Sequence, residues 1–441
     1  MNFFKSLINR KTETLYFFSQ IFLLAVLLMC AGFVFLSYEN IIFYINSLRP
    51  DKPYQFFTVQ YHFYFRIFFS FLGCVFVGLM ILLNNKKSQY INLIQLLWNS
   101  IILLFKKTKT DFLFFYKKED PRHLYILFTV FIIGVAIRIL YLNRPVFHDE
   151  AKTFYSFVSR SWIDTLTNYY VPNNHVFHST LSRLSFLVFG NEEWAFRLPV
   201  FFTGSLTLLS CYLYARSFYN KYVAIILMAC VTNGLPFVSY SVNARGYILI
   251  TFFFLLLLLI TKKIVENPKN LILYFLIIII AALGLWTAPV MIMPLIFLCY
   301  WYLIQGGFRN LKNRVFNTFI ASVLIGFITL LLYSPIILRS GIGALISNKY
   351  VAKQNLETIL GKLFYYIHQY WDFFTSGYSD NMKIFLFFLF FIGIVNHVFN
   401  KNTRNLFFSF VFTALTIFFV LKRLPFDRTL LFIYPIFWTY I

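Results

Sequence analysis

Runs of about twenty apolar residues recur along this 441-residue chain, and between them Lys and Arg gather in short clusters. A helix needs roughly 17–25 apolar residues to cross about 30 Å of hydrocarbon. Nothing but internally hydrogen-bonded backbone survives there, so such runs fold as helices. Candidate spans fall at 15–37, 61–83, 124–142, 197–218, 222–240, 247–261, 271–286, 288–304, 316–338, 383–399, 405–421 and 430–441. The last is about 18 Å of helix, too short to cross alone. Either the chain stops inside the bilayer or the sequence continues, and the expectation is an all-α integral membrane protein with about 11–12 transmembrane helices. The stretch 91–105 is shorter and flanked by lysines, which favours a position along the interface.

Composition fits this reading. Hydrophobic residues make up 60% and charged residues 12% of the chain, with a mean hydropathy of +0.71. A formal charge of +23 would point to nucleic acid in a soluble protein, but here the cations sit between spans, where they set topology. The five cysteines, Cys30, Cys74, Cys211, Cys230 and Cys299, all lie inside apolar runs without a CxxC pair and read as buried or lipid-facing thiols. The first run, Leu15 to Leu36, is too long for the apolar part of a cleavable signal and lacks a small-residue cleavage site.

With the N-terminus inside, one side collects about 21 basic and 5 acidic residues and the other about 14 basic and 11 acidic. The positive-inside rule then places the loop 143–196 outside the cytoplasm. A second long outer loop spans 339–382. Within it Leu356, Ile359, Leu360, Leu363, Phe364, Ile367 and Trp371 recur at helical spacing, which describes an amphipathic helix able to roof a cavity.

The loop 143–196 is the densest polar segment of the chain. His148-Asp149-Glu150 follows a span closely, and a carboxylate there can serve as general base towards an acceptor hydroxyl. Capping of the next helix would use the same residues. Further on, His175 and His178 fall on one helix face and, with Asp149 or Glu150, offer ligands for a divalent metal. Hydrogen bonding to substrate or a helix cap is the alternative for this pair. Arg197 opens a span, Arg245 sits in the turn Asn243-Ala244-Arg245-Gly246-Tyr247, and Arg428 precedes the last apolar run. An arginine fixed at the membrane surface is a planar, always charged partner for a phosphate, although snorkelling to headgroups employs arginine as well. Under one topology the acidic pair and these arginines share the outer face.

In their order, the DEA after a span, NNHVFHSTLSRLSFLVFG, RLP opening the next span, ARGY and PFDRTLLFIYP resemble the polytopic GT-C glycosyltransferases. The likeness is to the protein-mannosyltransferase and aminoarabinose-transferase type, with its bacterial Rgt-like branch, and it covers roughly 124–441. It divides the chain into an N-terminal two-span extension with a basic segment, 1–123, and a GT-C-like transmembrane catalytic unit, 124–441, with a helical bundle and amphipathic helices in two outer loops.

The resemblance implies transfer, with inversion, of one sugar from a polyprenyl-phosphate donor to an acceptor hydroxyl at the outer, periplasmic face of a bacterial inner membrane. Asp149 is then the base with Glu150 beside it, and Arg245, Arg197 and Arg428 hold the donor phosphate. His148, Asn174, His175 and Tyr247 are candidates for the sugar or acceptor. No nucleotide or other cofactor is implied, and the partners are a lipid-linked sugar, membrane lipids and a glycan, lipid or protein acceptor, with no nucleic acid. Where many relatives carry a Pro-Pro pair, this chain has Asn173-Asn174-His175. The competing readings are a transporter or flippase of a polar lipid and an inactive lipid-binding relative.

Overall fold

The computed structural model describes residues 2–47, 58–89, 119–169, 173–305, 310–346, 355–401, 403–422 and 424–441, with scattered positions between 91 and 106. The interfacial stretch expected at 91–105 therefore falls almost wholly outside the described residues, as does 347–354 of the second outer loop. Contacts divide the chain into two compact units, residues 1–117 and 118–441. No strand occurs among the described residues.

In the first unit, α1 (Asn2–Phe35) and α3 (Val59–Asn85) pack side by side, with the short α2 (Tyr38–Ser47) between them in sequence. Phe33 sits against Phe65 and Phe69, and the Tyr16 hydroxyl donates to Asn84 Oδ1 at 2.9 Å.

The second unit opens with α4 (Pro121–Leu140), started by Asp120, whose carboxylate accepts the Arg122 N–H at 2.9 Å, and by Pro121 in the first turn, where no N–H is needed. The loop 143–196 follows, as α5 (His148–Thr153), a π-turn over Phe154–Val158, α6 (Trp162–Thr167) and α7 (Val176–Phe189). Bundle helices then run as α8 (Leu198–Phe218), α9 (Lys221–Asn233), α10 (Leu235–Ser241), α11 (Tyr247–Glu266), α12 (Leu271–Thr287), α13 (Ile292–Ile304) and α14 (Leu311–Ser340). A short α15 (Ile342–Ile346) precedes the amphipathic helix α16 (Leu356–Phe374), and α17 (Asp380–Phe399), α18 (Arg404–Leu415) and α19 (Tyr434–Trp438) follow.

Seven described helices are long and apolar enough to cross a bilayer: Tyr16–Phe35, His62–Asn85, Pro121–Leu140, Ala195–Phe218, Tyr247–Glu266, Leu311–Ser340 and Asp380–Phe399. The protein is an all-α integral membrane protein. The run expected as one straight span at 222–240 is instead α9 and α10, bent by 68°. The reason is local: Gly234 ends α9, Pro236 supplies no N–H to continue the ladder, and Tyr434 packs so closely on Gly234 that a Cβ there would meet its ring. With this bent pair taken as one span the membrane-crossing candidates among the described residues number eight, and Val176–Phe189, Leu271–Thr287, Pro289–Ile304 and Arg404–Val420 are apolar but shorter. The expected short span at 430–441 does not form. A 3-10 turn over Asp427–Ile433 and α19 are buried in the bundle instead, with Phe432 5.3 Å from Phe254, so this segment is core.

Lipid-facing surfaces are plain in the exposed aromatics of α14 and α17, among them Phe316, Phe319, Phe388 and Phe391. At the bundle end away from the outer loop, Glu119 pairs with Arg216 and Lys221, and His123 Nε2 lies 2.9 Å from the Tyr212 hydroxyl.

Candidate active site

Glu150 is the point on which the loop 143–196 and the starts of α8 and α11 converge. It is fully buried in the first turn of α5 and accepts four hydrogen bonds: from Arg197 Nε and Nη2 at 3.0 Å each, from Ala244 N at 2.8 Å and from Phe147 N at 3.2 Å. The last is the returning half of a capping box. Arg197, also fully buried, spends all five N–H donors, two on Glu150 and the rest on the carbonyls of Leu142 (2.8 Å), Arg144 (2.6 Å) and Pro145 (3.4 Å). One fork-to-fork pair thus locks the end of α4, the start of α5, the start of α8 and the turn before α11.

Glu150 has no lone pair turned to an acceptor, and Arg197 has no N–H left for a phosphate.

Asp149, the neighbour, is placed differently. Successive residues of a helix face directions about 100° apart, so when Glu150 points into the protein Asp149 points towards the part-exposed surface beside Arg245 and Arg428, the mouth of the site. Its side chain is 42% exposed, with Oδ2 2.9 Å from Arg245 Nη1 and 3.9 Å from Arg428 Nη1. His148 lies beside it, Nδ1 3.8 Å from Oδ1, and is 92% exposed. Its backbone is held firmly, because Asn173 Nδ2 (3.1 Å) and the Thr153 hydroxyl (3.0 Å) both donate to the Asp149 carbonyl.

Arg245 contrasts with Arg197. It is buried, yet its Nε has no partner, and Nη2 reaches only the Tyr247 hydroxyl and His175 Nε2, each at 3.4 Å. Even the Asp149 contact is at ion-pair distance but out of line with the N–H bonds. Here is a buried guanidinium with unspent donors. Beside it, His175 Nδ1 accepts the Gly246 N–H at 2.8 Å, so the neutral ring carries its proton on Nε2. Burial, and after it the Arg245 charge, push the His175 pKa well below its ordinary value. The Nε2–H and Arg245 Nη2 therefore meet donor to donor at 3.4 Å, with the Tyr247 hydroxyl as a distant acceptor for Nη2 at 3.4 Å. Tyr247 completes the wall, its ring 4.8 Å from that of His175 and 5.4 Å from that of Tyr240.

The Asn173-Asn174-His175 stretch acts as a clasp. Asn173 holds α5 as described, and Asn174, buried, gives both amide N–H groups to the carbonyls of Thr165 and Asn168. Asn174 is thus occupied in shaping the loop and does not face the mouth where its sequence position suggested a sugar contact. His178 is buried one turn into α7. Ser182 gives its proton to the Phe196 carbonyl at 2.8 Å and so accepts from His178 Nε2 at 3.1 Å. Desolvation lowers the His178 pKa to about 3. Among the described residues no group of three or more His, Cys, Asp or Glu is arranged to hold a metal. His175 Nδ1 and His178 Nε2 are already engaged, while His178 Nδ1 is buried without a hydrogen-bond partner.

Arg428 lies at the mouth. Its side chain is 35% exposed, stacks on Phe426 with the guanidinium 4.9 Å from the ring, and has an unpartnered Nε. The loop that carries it is pinned by a contact with no sequence signal: the buried hydroxyl of Tyr370, on α16, donates to the Pro425 carbonyl at 2.6 Å. The other loop boundary is tied as well, with Arg339 at the end of α14 pairing with Asp164 at 2.8 Å and giving Nη1 to the Thr167 hydroxyl.

Comparison with known proteins follows this geometry. Residues 176–337 match the family model described as dolichyl-phosphate-mannose-protein mannosyltransferase. Two solved structures of ArnT from Cupriavidus metallidurans superpose on it, the apo form with TM-score 0.51 and the form bound to undecaprenyl phosphate with TM-score 0.52. This chain has the ArnT fold. Identity to both is 14%; 72% and 71% of the chain are covered, and 58% of ArnT in each case, so the chain spans less than two thirds of ArnT's length. No curated protein matches. The matched family segment carries α7 and α8 to α14, including Arg197 and Arg245.

Proposed function

We propose that the protein is a membrane glycosyltransferase that moves one sugar from a polyprenyl-phosphate donor to an acceptor hydroxyl, with inversion, at the periplasmic face of a bacterial inner membrane. The observation that carries the reading is the pairing of a mouth-facing carboxylate, Asp149, with a buried arginine, Arg245, whose donors are unspent.

In this mechanism Arg245, with the His175 Nε2–H and the Tyr247 hydroxyl, receives the donor phosphate, and Arg428 closes over it from the mouth. The acceptor oxygen attacks the anomeric carbon as its proton passes to Asp149. The bond from that carbon to the phosphate oxygen breaks, and the polyprenyl phosphate leaves with the electron pair, its charge stabilised by the two guanidiniums. The leaving group is already a good one, so base, positioning and charge stabilisation are what the protein needs to add. Glu150 and Arg197 hold the geometry from behind. A sugar or glycan acceptor would enter past His148, beneath the roof helix α16.

An apolar cavity of about 380 Å³ between α11, α12, α13 and α14 suits the hydrocarbon tail. Its walls include Leu257, ten residues or about 15 Å of helix from Tyr247. The test is sugar transfer in nanodiscs with a panel of polyprenyl-phosphate sugars, comparing wild type with Asp149→Asn and Arg245→Ala. Transfer is expected from wild type alone. Undiminished product from Asp149→Asn would overturn the assignment of the base.

A further inference from the structure

Asp149 and the donor phosphate, on the reading just given, want the same guanidinium. We infer that Asp149 is the resident counter-ion of the phosphate seat: its carboxylate leaves Arg245 when the lipid phosphate arrives, so donor binding is what frees the base.

Three observations carry this. The Asp149 to Arg245 contact is close, 2.9 Å, yet out of line with the N–H bonds, so it supplies charge compensation without a good hydrogen bond and is easily exchanged. The Asp149 backbone is fixed by Asn173 and Thr153 while its side chain is 42% exposed, so the carboxylate can swing about its own side-chain bonds without moving α5. And the seat is short of acceptors: Arg245 Nε and Nη1 have no hydrogen-bond partner, and Nη2 has only long contacts of 3.4 Å to the Tyr247 hydroxyl and His175 Nε2.

Charge counting gives the direction of the exchange. Arg245 and Arg428 face one carboxylate in the free protein, a surplus of one positive charge. A donor phosphodiester brings one negative charge and balances the site. Arg428, 3.9 Å from Asp149, then remains as the partner of the displaced carboxylate while Arg245 turns to the phosphate. The base is thus neutralised by Arg245 until a donor is present, and substrates add in order, donor before acceptor.

The consequence runs against the usual expectation for an active-site variant. Removing the Asp149 charge removes a competitor, so Asp149→Asn should bind undecaprenyl phosphate more tightly while losing transfer. Binding would be measured on the full chain in nanodiscs by native mass spectrometry or tryptophan fluorescence, for wild type, Asp149→Asn, Asp149→Ser and Arg245→Gln. The expected result is an affinity gain of roughly tenfold in both Asp149 variants, equivalent to about 1.4 kcal/mol, and loss of binding in Arg245→Gln. The Ser variant keeps the test open if the Asn variant folds poorly. Unchanged or weaker binding in correctly folded Asp149 variants, with wild type and Arg245→Gln behaving as expected, would overturn the exchange and leave the transferase reading in place. Failure of every form, wild type included, to bind the lipid would overturn the transferase reading and the exchange with it.

Discussion

Replacing Glu150 by Gln separates a scaffold carboxylate from a catalytic one. Gln keeps the shape and one carbonyl oxygen, which can still take the Ala244 and Arg197 Nε hydrogens. Its amide nitrogen, however, would face the N–H groups of Phe147 and Arg197 Nη2, so two hydrogen bonds become donor-to-donor contacts. The charge of Arg197 is then left without its counter-ion in a fully buried position. Removing one partner of a buried pair costs about 3–5 kcal/mol, in line with two lost charge-assisted bonds at about 1.5–3 kcal/mol each. Unfolding in mixed detergent micelles should register a loss of that size. The double variant Glu150→Gln with Arg197→Met, which removes the stranded charge, should recover part of it. Asp149→Asn in the same assay should stay within about 1 kcal/mol of wild type, because its carboxylate is part-exposed and its fixed contacts are made by backbone. A Glu150→Gln protein as stable as wild type but as inactive as Asp149→Asn would refute the scaffold argument.

Other consequences are accessible by the same means. Asp149→Asn should lower transfer by about 10²–10⁴-fold, the usual contribution of a general base, in a kcat measurement with donor saturating. Tyr370→Phe deletes the bond to the Pro425 carbonyl and loosens the loop bearing Arg428; a fall in kcat/KM of about 2- to 13-fold is expected from one hydrogen bond of 0.5–1.5 kcal/mol, and it should vanish in an Arg428→Ala background. In Gly246→Ala the new Cβ would lie 2.7 Å from His175 Nδ1, displacing the imidazole from Arg245 at a cost of about 1–3 kcal/mol, read as weaker binding of undecaprenyl phosphate. For pH, His178 is held neutral by burial with its pKa near 3. Unfolded, the same residue takes up a proton below about 6.5, so its contribution to stability is present above that value and drains away as pH falls from about 6.5 towards 3. His178→Asn should flatten the pH dependence of unfolding in that window by up to one proton.

The sequence alone carried the class of the molecule and most of its helices. Apolar length and the absence of charge within runs decide what can lie in hydrocarbon, and those properties are local, so the spans at 61–83, 124–142, 247–261 and 383–399 reappear with shifted ends. The candidate residues were legible too, because charged groups in so apolar a chain are few. What sequence could not divide was the labour among them. Asp149 and Glu150 are adjacent and chemically alike, and only the packing of α5 against α8 and the Arg245 turn sends one to the mouth and buries the other. Arg197 and Arg245 both stand at the start of a span, yet one spends five donors on the scaffold and the other almost none, a difference set by which carbonyls the fold brings within reach. Gly234 at the bend is packed by a tyrosine two hundred residues later, and the Tyr370 bond to Pro425 leaves no trace in spacing or composition. Burial in lipid is a property of a segment, whereas the satisfaction of an individual charge is a property of its neighbours in space, and those neighbours exist only after the chain has folded.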